Sequence, residues 1–292
     1  MVKKYGDLYQ DTRRALLNTE DAQDAGVLAR LLVCHYSGKS QAEFLADREM
    51  YASEKIVEDV QRGLQRLLDG EPMPYILGQW EFFGLPLHVN PKVLIPRDDT
   101  CAVAELAIKQ ALFLDKEPRI LDLCCGSGCI GLAIASRVKD AKVTLADISQ
   151  DALSVAKENT ALNKLTGRVR CVRADALAPA FPFLGRFDMI VSNPPYITGA
   201  DMEELPHSVK DFEPHLALYG GEDGLDFYRS IAVNFAPALK PGGFLCFEFG
   251  AEQGDDVCRI LVETGYTILE RIRDYNDRER AVLAQYGRKE DE

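Results

Sequence analysis

The sequence predicts an α/β protein: a doubly wound, mostly parallel sheet, preceded by a small helical domain and a β-hairpin connector. Three observations carry this. Apolar residues recur with helical period up to about Gly70. Prolines, glycines and aromatics then break up residues 71–98. From about residue 99, apolar strand-like runs alternate with helical ones. The expected domain limits are 1–72, 73–98 and 99–292.

In S-E-K-I-V-E-D-V-Q-R-G-L-Q-R-L-L-D-G, Ile56, Val57, Val60, Leu64, Leu67 and Leu68 fall on one helical face, with Ser53 placed to cap the start and Gly70 the end. Similar amphipathic runs at 21–36 and 41–49 complete a small bundle. Residues 71–98 read as a hairpin-like connector. Beyond it come strand R-I-L-D-L, helix G-C-I-G-L-A-I-A-S-R, strand K-V-T-L-A-D and helix S-Q-D-A-L-S-V-A-K-E-N-T. Strands R-V-R-C-V-R and R-F-D-M-I-V-S, a helix near 225–239 and strand G-F-L-C-F-E-F follow. Y-T-I-L-E-R-I-R-D and A-V-L-A-Q-Y close the sheet as an antiparallel pair.

The bulk properties narrow the function classes. Hydrophobic residues at 47% and aromatics at 9% of 292 are globular values. No signal-peptide pattern and no bilayer-length apolar run is visible, so a cytoplasmic protein without a membrane partner is expected. The eight cysteines are scattered in apolar stretches and are expected to be reduced and mostly buried. Without Cys-x-x-Cys, and with no ligand spacing among His35, His88, His207 and His215, no metal site is expected. A net charge of −12 without a basic cluster disfavours gripping a phosphate backbone, so direct nucleic-acid binding is not expected.

L-D-L-C-C-G-S-G-C-I-G leaves the first strand of the sheet and opens its first helix. Gly126, Gly128 and Gly131 have the spacing of a dinucleotide-binding turn, and Asp147 ends the next strand at the distance of a ribose-hydroxyl acceptor. The same glycines would also serve mere helix–strand packing. A pyrophosphate requires a site free of anions, yet Asp122 stands four residues before Gly126. That favours a cationic ligand such as S-adenosylmethionine, with Asp122 near its methionine part and Asp147 on its ribose. Asp175, just after the third strand, either reaches the adenine amino group or acts as an ordinary loop cap.

The fourth strand runs into N-P-P-Y, residues 193–196, where open parallel sheets place their ligands. Pro194 and Pro195 stiffen the turn, favour extended backbone at the residue before each, and offer no N–H. The Asn193 side-chain oxygen and a proline carbonyl can each accept one hydrogen of a planar NH2 group, while the Tyr196 ring stacks on it. An amide nitrogen held this way can be aimed at a methyl-sulfonium carbon, because orientation and acceptor bonds that strengthen as charge develops supply the acceleration. A peptide-docking Asn-Pro-x-Tyr segment and a purely structural Pro-Pro turn are the competing readings; the first requires an exposed flexible stretch, which F-D-M-I-V-S does not resemble.

Over nearly its whole length the chain resembles the protein-(glutamine-N5) methyltransferases that modify peptide chain release factors. The resemblance lies in P-Y-I-L-G, E-F-F-G, V-L-I-P-R, L-D-L-C-C-G-S-G-C-I, N-P-P-Y, F-E-P, G-G-E-D-G-L-D-F-Y-R and R-D-Y-N-D-R-E-R. It implies a seven-stranded, Rossmann-like methyltransferase domain that uses S-adenosylmethionine and acts on the glutamine of the release factor's Gly-Gly-Gln loop. Cys124, Cys125, Gly126, Ser127, Gly128, Asp147 and Asn193 would contact the cofactor. Asn193, Pro194, Pro195 and Tyr196 would hold the glutamine, and the helical domain would help bind the release factor. Phe82, Phe83, Arg97 and Glu213, each in a resembling stretch, are second-line site candidates. The family usually has Gly-Thr where this chain has Cys124 and Cys125, and Pro-Glu where it has Asp98 and Asp99; the cysteines are expected to fill space, with the loop keeping its path if Cys124 avoids positive φ. A sister group acting on a large-subunit ribosomal protein, nucleobase amino-methyltransferases and a nicotinamide-linked oxidoreductase are the alternatives.

Overall fold

The computed structural model describes residues 3–114 and 116–287; the first two residues and 288–292, inside the expected domain limits, lie outside the described residues. The chain up to Gly78, together with His207–Phe212, forms one compact unit. Gln79–Pro206 and the chain from Glu213 onward form the other. The first unit thus ends six residues later than expected, because Met73 and Ile76 of a short helix pack with Leu32 and Leu67 in its core.

The first unit contains α1 (Tyr5–Leu16), α2 (Ala25–Ser37), α3 (Gln41–Ala46), α4 (Glu54–Leu68) and α5 (Met73–Leu77), with a two-residue pairing of β1 (Lys3–Lys4) and β2 (Tyr51–Ala52). Ser53 caps α4 by accepting from the Ile56 N–H at 3.3 Å. Ser40 and Glu43 form a reciprocal capping box on α3. On α4, Val57, Val60 and Leu67 are buried, whereas Leu68 is 41% exposed. One residue past Leu67 is a turn of about 100°, which carries Leu68 off the apolar stripe. Gly63 lets α4 approach α2 closely, since a Cβ there would lie 2.4 Å from the Tyr36 ring.

In the second unit, β3 (Gln79–Phe82) and β4 (Leu85–His88) form a hairpin. Its two-residue turn, Phe83–Gly84, has φ of 57° and 79°, the double left-handed conformation that suits a tight hairpin. After α6 (Cys101–Ala111), strands β5 (Arg119–Leu123), β6 (Lys142–Asp147), β7 (Val169–Arg173), β8 (Phe187–Ser192) and β9 (Leu239–Glu248) alternate with α7 (Cys129–Arg137), α8 (Gln150–Leu162) and α9 (Asp226–Asn234). α10 (Gly254–Glu263) leads to β10 (Tyr266–Arg273) and β11 (Glu279–Tyr286). The strand order is β10-β11-β9-β8-β5-β6-β7, parallel from β9 to β7, with β11 antiparallel between β9 and β10. The doubly wound seven-stranded fold is the one the sequence predicts. α9 is shorter than expected, because Pro237 cannot continue a helix and a 3-10 turn follows.

One apolar cluster, including Ile120, Ile134, Leu145 and Leu283, packs α6 and α7 on one face of the sheet. The other, including Leu121, Leu123, Tyr228, Phe247 and Phe249, packs α9 and α10 on the opposite face. Alternation along β5 therefore turns Ile120 and Asp122 toward α7, and Leu121 and Leu123 away from it.

Candidate active site

Two loops leave the carboxyl ends of neighbouring strands β5 and β8, paired through Leu123 and Ser192. This is the switch point of the sheet, since the chain runs from β5 outward through β6 and β7 and then returns to the other side of β5.

In the first loop Cys124 has φ of +60°, so the expectation that it avoids the left-handed region is corrected. The loop keeps a glycine's conformation with a cysteine in place, at a cost of about 1 kcal/mol or somewhat more. It is held by Cys125 N–H donating to the Ala146 carbonyl at 3.0 Å, Gly128 N–H to the Cys125 carbonyl at 2.7 Å, and Gly126 N–H to Asp147 Oδ2 at 2.9 Å. The three glycines do different work. A Cβ on Gly126 would meet nothing within 4 Å, and φ of +52° is what asks for glycine there. On Gly128 or Gly131 it would press into Leu145, at 2.9 and 2.4 Å, so these two allow α7 to lie close on the sheet. Burial pushes the Cys124 and Cys125 thiols well above their ordinary value, which makes them poor nucleophiles and good fillers. Of the eight cysteines, Cys125 and Cys246 are buried and six are partly so, a more open set than expected.

The acids lie at different depths. Asp147 is buried, accepts from the Gly126 and Ser149 amides, and has its carboxyl raised by burial against the lowering effect of those amides. Asp175 is exposed and accepts from the Leu177 N–H at 2.8 Å, a local loop turn. Asp122 is fully buried under α7, where Oδ2 accepts from the Gly131 N–H at 2.8 Å and Oδ1 has no partner among the described residues. Burial pushes its carboxyl up to about 7. Near neutral pH it is therefore only partly ionised, which weakens the electrostatic objection to a pyrophosphate.

The second loop, N-P-P-Y, is braced from outside. Ile197 N–H donates to the Leu218 carbonyl and Gly220 N–H to the Ile197 carbonyl, both at 2.9 Å. Gln253 Nε2 donates to the Tyr196 carbonyl at 3.1 Å. A Cβ on Gly220 would stand 2.6 Å from Tyr196 Cα and 2.7 Å from the Pro195 carbonyl oxygen, so only glycine permits this approach. The Tyr196 ring packs against the α9–α10 side of the core, and its hydroxyl is pushed up to about 12, chiefly by burial. Asn193 Nδ2 points to Thr100 Oγ1 at 3.4 Å.

Between the two loops opens a cavity of about 250 Å³. Of the residues singled out from sequence, Cys124, Gly126, Asp147, Asp175, Asn193 and Pro195 line it. Asp122, Cys125, Ser127, Gly128, Pro194 and Tyr196 are not among its walls. The rest of the lining is mostly apolar, with Ile148, Leu177 and Phe227 prominent. Phe82 is buried in the core and Phe83 stacks under Arg137, so both serve the hairpin. Arg97 pairs with the buried Glu213, which also accepts from the Ile95 N–H at 3.1 Å. That clamp fixes the strap whose Val93 and Leu94 form one wall.

Sequence reading missed Asn159. Its fully buried amide exchanges two hydrogen bonds with the backbone of His88, at 2.6 and 3.0 Å, and donates to the Ser127 carbonyl at 3.0 Å. Helical periodicity hid it, since an asparagine in the last turns of a helix carries no local signal. Glu248, buried at the end of β9, was also missed; a lone acid inside an apolar strand was the available clue.

Residues 7–78 match the family described as PrmC N-terminal domain, and residues 104–209 the family described as Methyltransferase small domain. The release factor glutamine methyltransferase of Clostridium acetobutylicum is 37% identical over 259 residues, covering 89% of this chain and 90% of that one. The protein of the same name from Chlorobaculum tepidum is 39% identical over 265 residues, covering 88% and 90%. Among solved structures, a methyltransferase from Pyrococcus furiosus shares the fold with a TM-score of 0.52 at 18% identity, over 78% of this chain and 98% of that one.

Proposed function

The chain belongs to the release factor glutamine methyltransferases, and from that premise we propose that it methylates the side-chain amide nitrogen of the glutamine in a release factor's Gly-Gly-Gln motif, with S-adenosylmethionine as donor. The observation that carries the reading is that Asn193 and Pro195 of the N-P-P-Y loop line the same cavity as Gly126 and Asp147 of the glycine loop. The cavity suits an adenosyl group: apolar walls at Ile148, Leu177 and Phe227 flank a flat ring, and the acids Asp147 and Asp175 face its hydroxyl and amino donors. When bound, S-adenosylmethionine supplies an activated methyl group on a sulfonium centre.

Everything else falls to this chain's residues. Asp147 accepts from the ribose hydroxyls with the lone pairs its two backbone amides leave over. Asn193 Oδ1 and a proline carbonyl of the loop accept the two hydrogens of the glutamine NH2, and the absence of proline N–H groups leaves no competing donor. These acceptors bind the nitrogen more strongly as it becomes cationic, which is differential binding of the transition state. Tyr196, packed against the α9–α10 side of the core, holds the loop from that side. Asp122 acts from beneath, holding the first turn of α7 through Gly131.

The test is to incubate the protein with methyl-labelled S-adenosylmethionine and three acceptors: release factor, large-subunit ribosomal protein, and nucleic acid. Label on the Gly-Gly-Gln glutamine is expected. Label on adenine, or on the ribosomal protein alone, defeats the reading. Asn193→Ala is expected to abolish transfer to the factor while weakening cofactor binding only modestly, measured by calorimetric titration; full activity rejects the assigned role.

A further inference from the structure

Glu248 is 2% exposed, and its Oε2 has no hydrogen-bond partner among the described residues. It ends β9 beside β8, where Ser192 pairs with Phe247, so the register sets it next to Asn193. The side chains of Thr100, also 2% exposed, and Asn193 lie near enough to its carboxyl to favour the charged form, and Arg280 and Asp99 are the charges that face it. Arg280 is already engaged by Asp274 and Asp99, at 3.1 and 3.2 Å. A buried acid beside a cavity-lining asparagine, and otherwise without use, calls for an account.

The geometry points to Glu248 and Thr100 as positioning residues that fix which end of the Asn193 amide faces the cavity. A carboxylate has lone pairs and no proton, so everything bonded to it must donate. With a carboxylate close by to draw its proton, the Thr100 hydroxyl serves as the acceptor of the Asn193 Nδ2 bond at 3.4 Å. With its NH2 end turned inward to Thr100 and Glu248, the amide presents Oδ1 to the cavity. Reversed, it would present a donor to the substrate NH2 and repel it. Burial pushes Glu248 up to about 7, so near neutral pH the orienting effect belongs to its ionised fraction, which the neighbouring Thr100, Asn193 and Arg280 favour.

This inference rests on the glutamine-methylation reading. Thr100→Val removes the hydroxyl with little change of shape, Glu248→Gln replaces a pure acceptor by a group that can also donate, and Thr100→Ser restores the hydroxyl. Steady-state methylation of the release factor, cofactor affinity and melting temperature are measured for each. We expect Thr100→Val and Glu248→Gln to lower kcat by about tenfold or more, with the KM for the factor, the affinity for S-adenosylmethionine and the melting temperature little changed, and Thr100→Ser to return most of the rate. Retention of the wild-type kcat by Thr100→Val overturns the inference, as does a loss matched by equal losses of cofactor affinity or stability. A wild-type enzyme inert toward the factor overturns the glutamine reading itself and this inference with it; an active wild type beside unimpaired variants overturns the inference alone.

Discussion

The loop after β5 and the loop after β8 leave neighbouring strands, and each rests on a buried carboxyl group pushed up to about 7 with one oxygen unpaired, Asp122 under the first and Glu248 under the second. They reach their shapes by opposite means. The glycine loop owes its path to its own residues: positive φ at Cys124, Gly126 and Gly128, and bonds to the next strand. The N-P-P-Y loop has stiff residues, but its position comes from distant ones, Gly220, Gln253 and Thr100. A pocket that encloses a mobile cofactor can be shaped locally, whereas one that aims a weak nucleophile requires outside bracing.

Four measurements sharpen or break that contrast. The largest effect expected is on pH-dependent stability. Asp122 binds its proton more tightly folded than unfolded, so its contribution is greatest below about pH 4 and falls as pH rises to about 7, by on the order of 4 kcal/mol in all. Asp122→Asn keeps an oxygen for the Gly131 amide, and its unfolding free energy should be flatter than wild type between those limits in denaturant titrations. Parallel curves would mean that the buried acid is not the source.

Next, Gly220→Ala should displace the N-P-P-Y loop and lower kcat by about 100-fold, with cofactor affinity nearly intact. If instead cofactor binding falls as far as turnover, the two loops are not separately built. Gly131→Ala, overpacked against Leu145, should cost about 2 kcal/mol of stability, read as a lowered denaturation midpoint. The smallest effect is Cys124→Gly, where relief of the left-handed strain outweighs the added chain entropy by up to about 1 kcal/mol. A lowered melting temperature would show that the thiol's packing matters more than its backbone.

The fold was legible wherever local pattern and tertiary demand agree. Alternation from residue 99, the Ser53 cap and the glycine turn located strands, helices and the switch point, because each is a short-range preference. Leu68 failed for a local reason, its angle on the helix. Cys124 failed because a non-glycine residue in a left-handed conformation can be sustained by the bonds around it. The cavity was legible in part. Cys124, Gly126, Asp147, Asp175, Asn193 and Pro195 come together, since strand ends are predictable, whereas Asp122 is turned under α7 by the alternation of its own strand. Thr100, Asn159 and Gly220 act across the fold, and no window of sequence reveals such partners; Glu248 left only the clue of an acid in an apolar strand.

Asn159 ties three pieces of chain with one side chain: both polar groups of the His88 backbone and the carbonyl of Ser127. The end of the hairpin and the floor of the glycine turn therefore share a single fastening, and neither can shift by a bond length without pulling on the other. Strain applied at the hairpin would be felt at the glycine turn before it reached the N-P-P-Y loop.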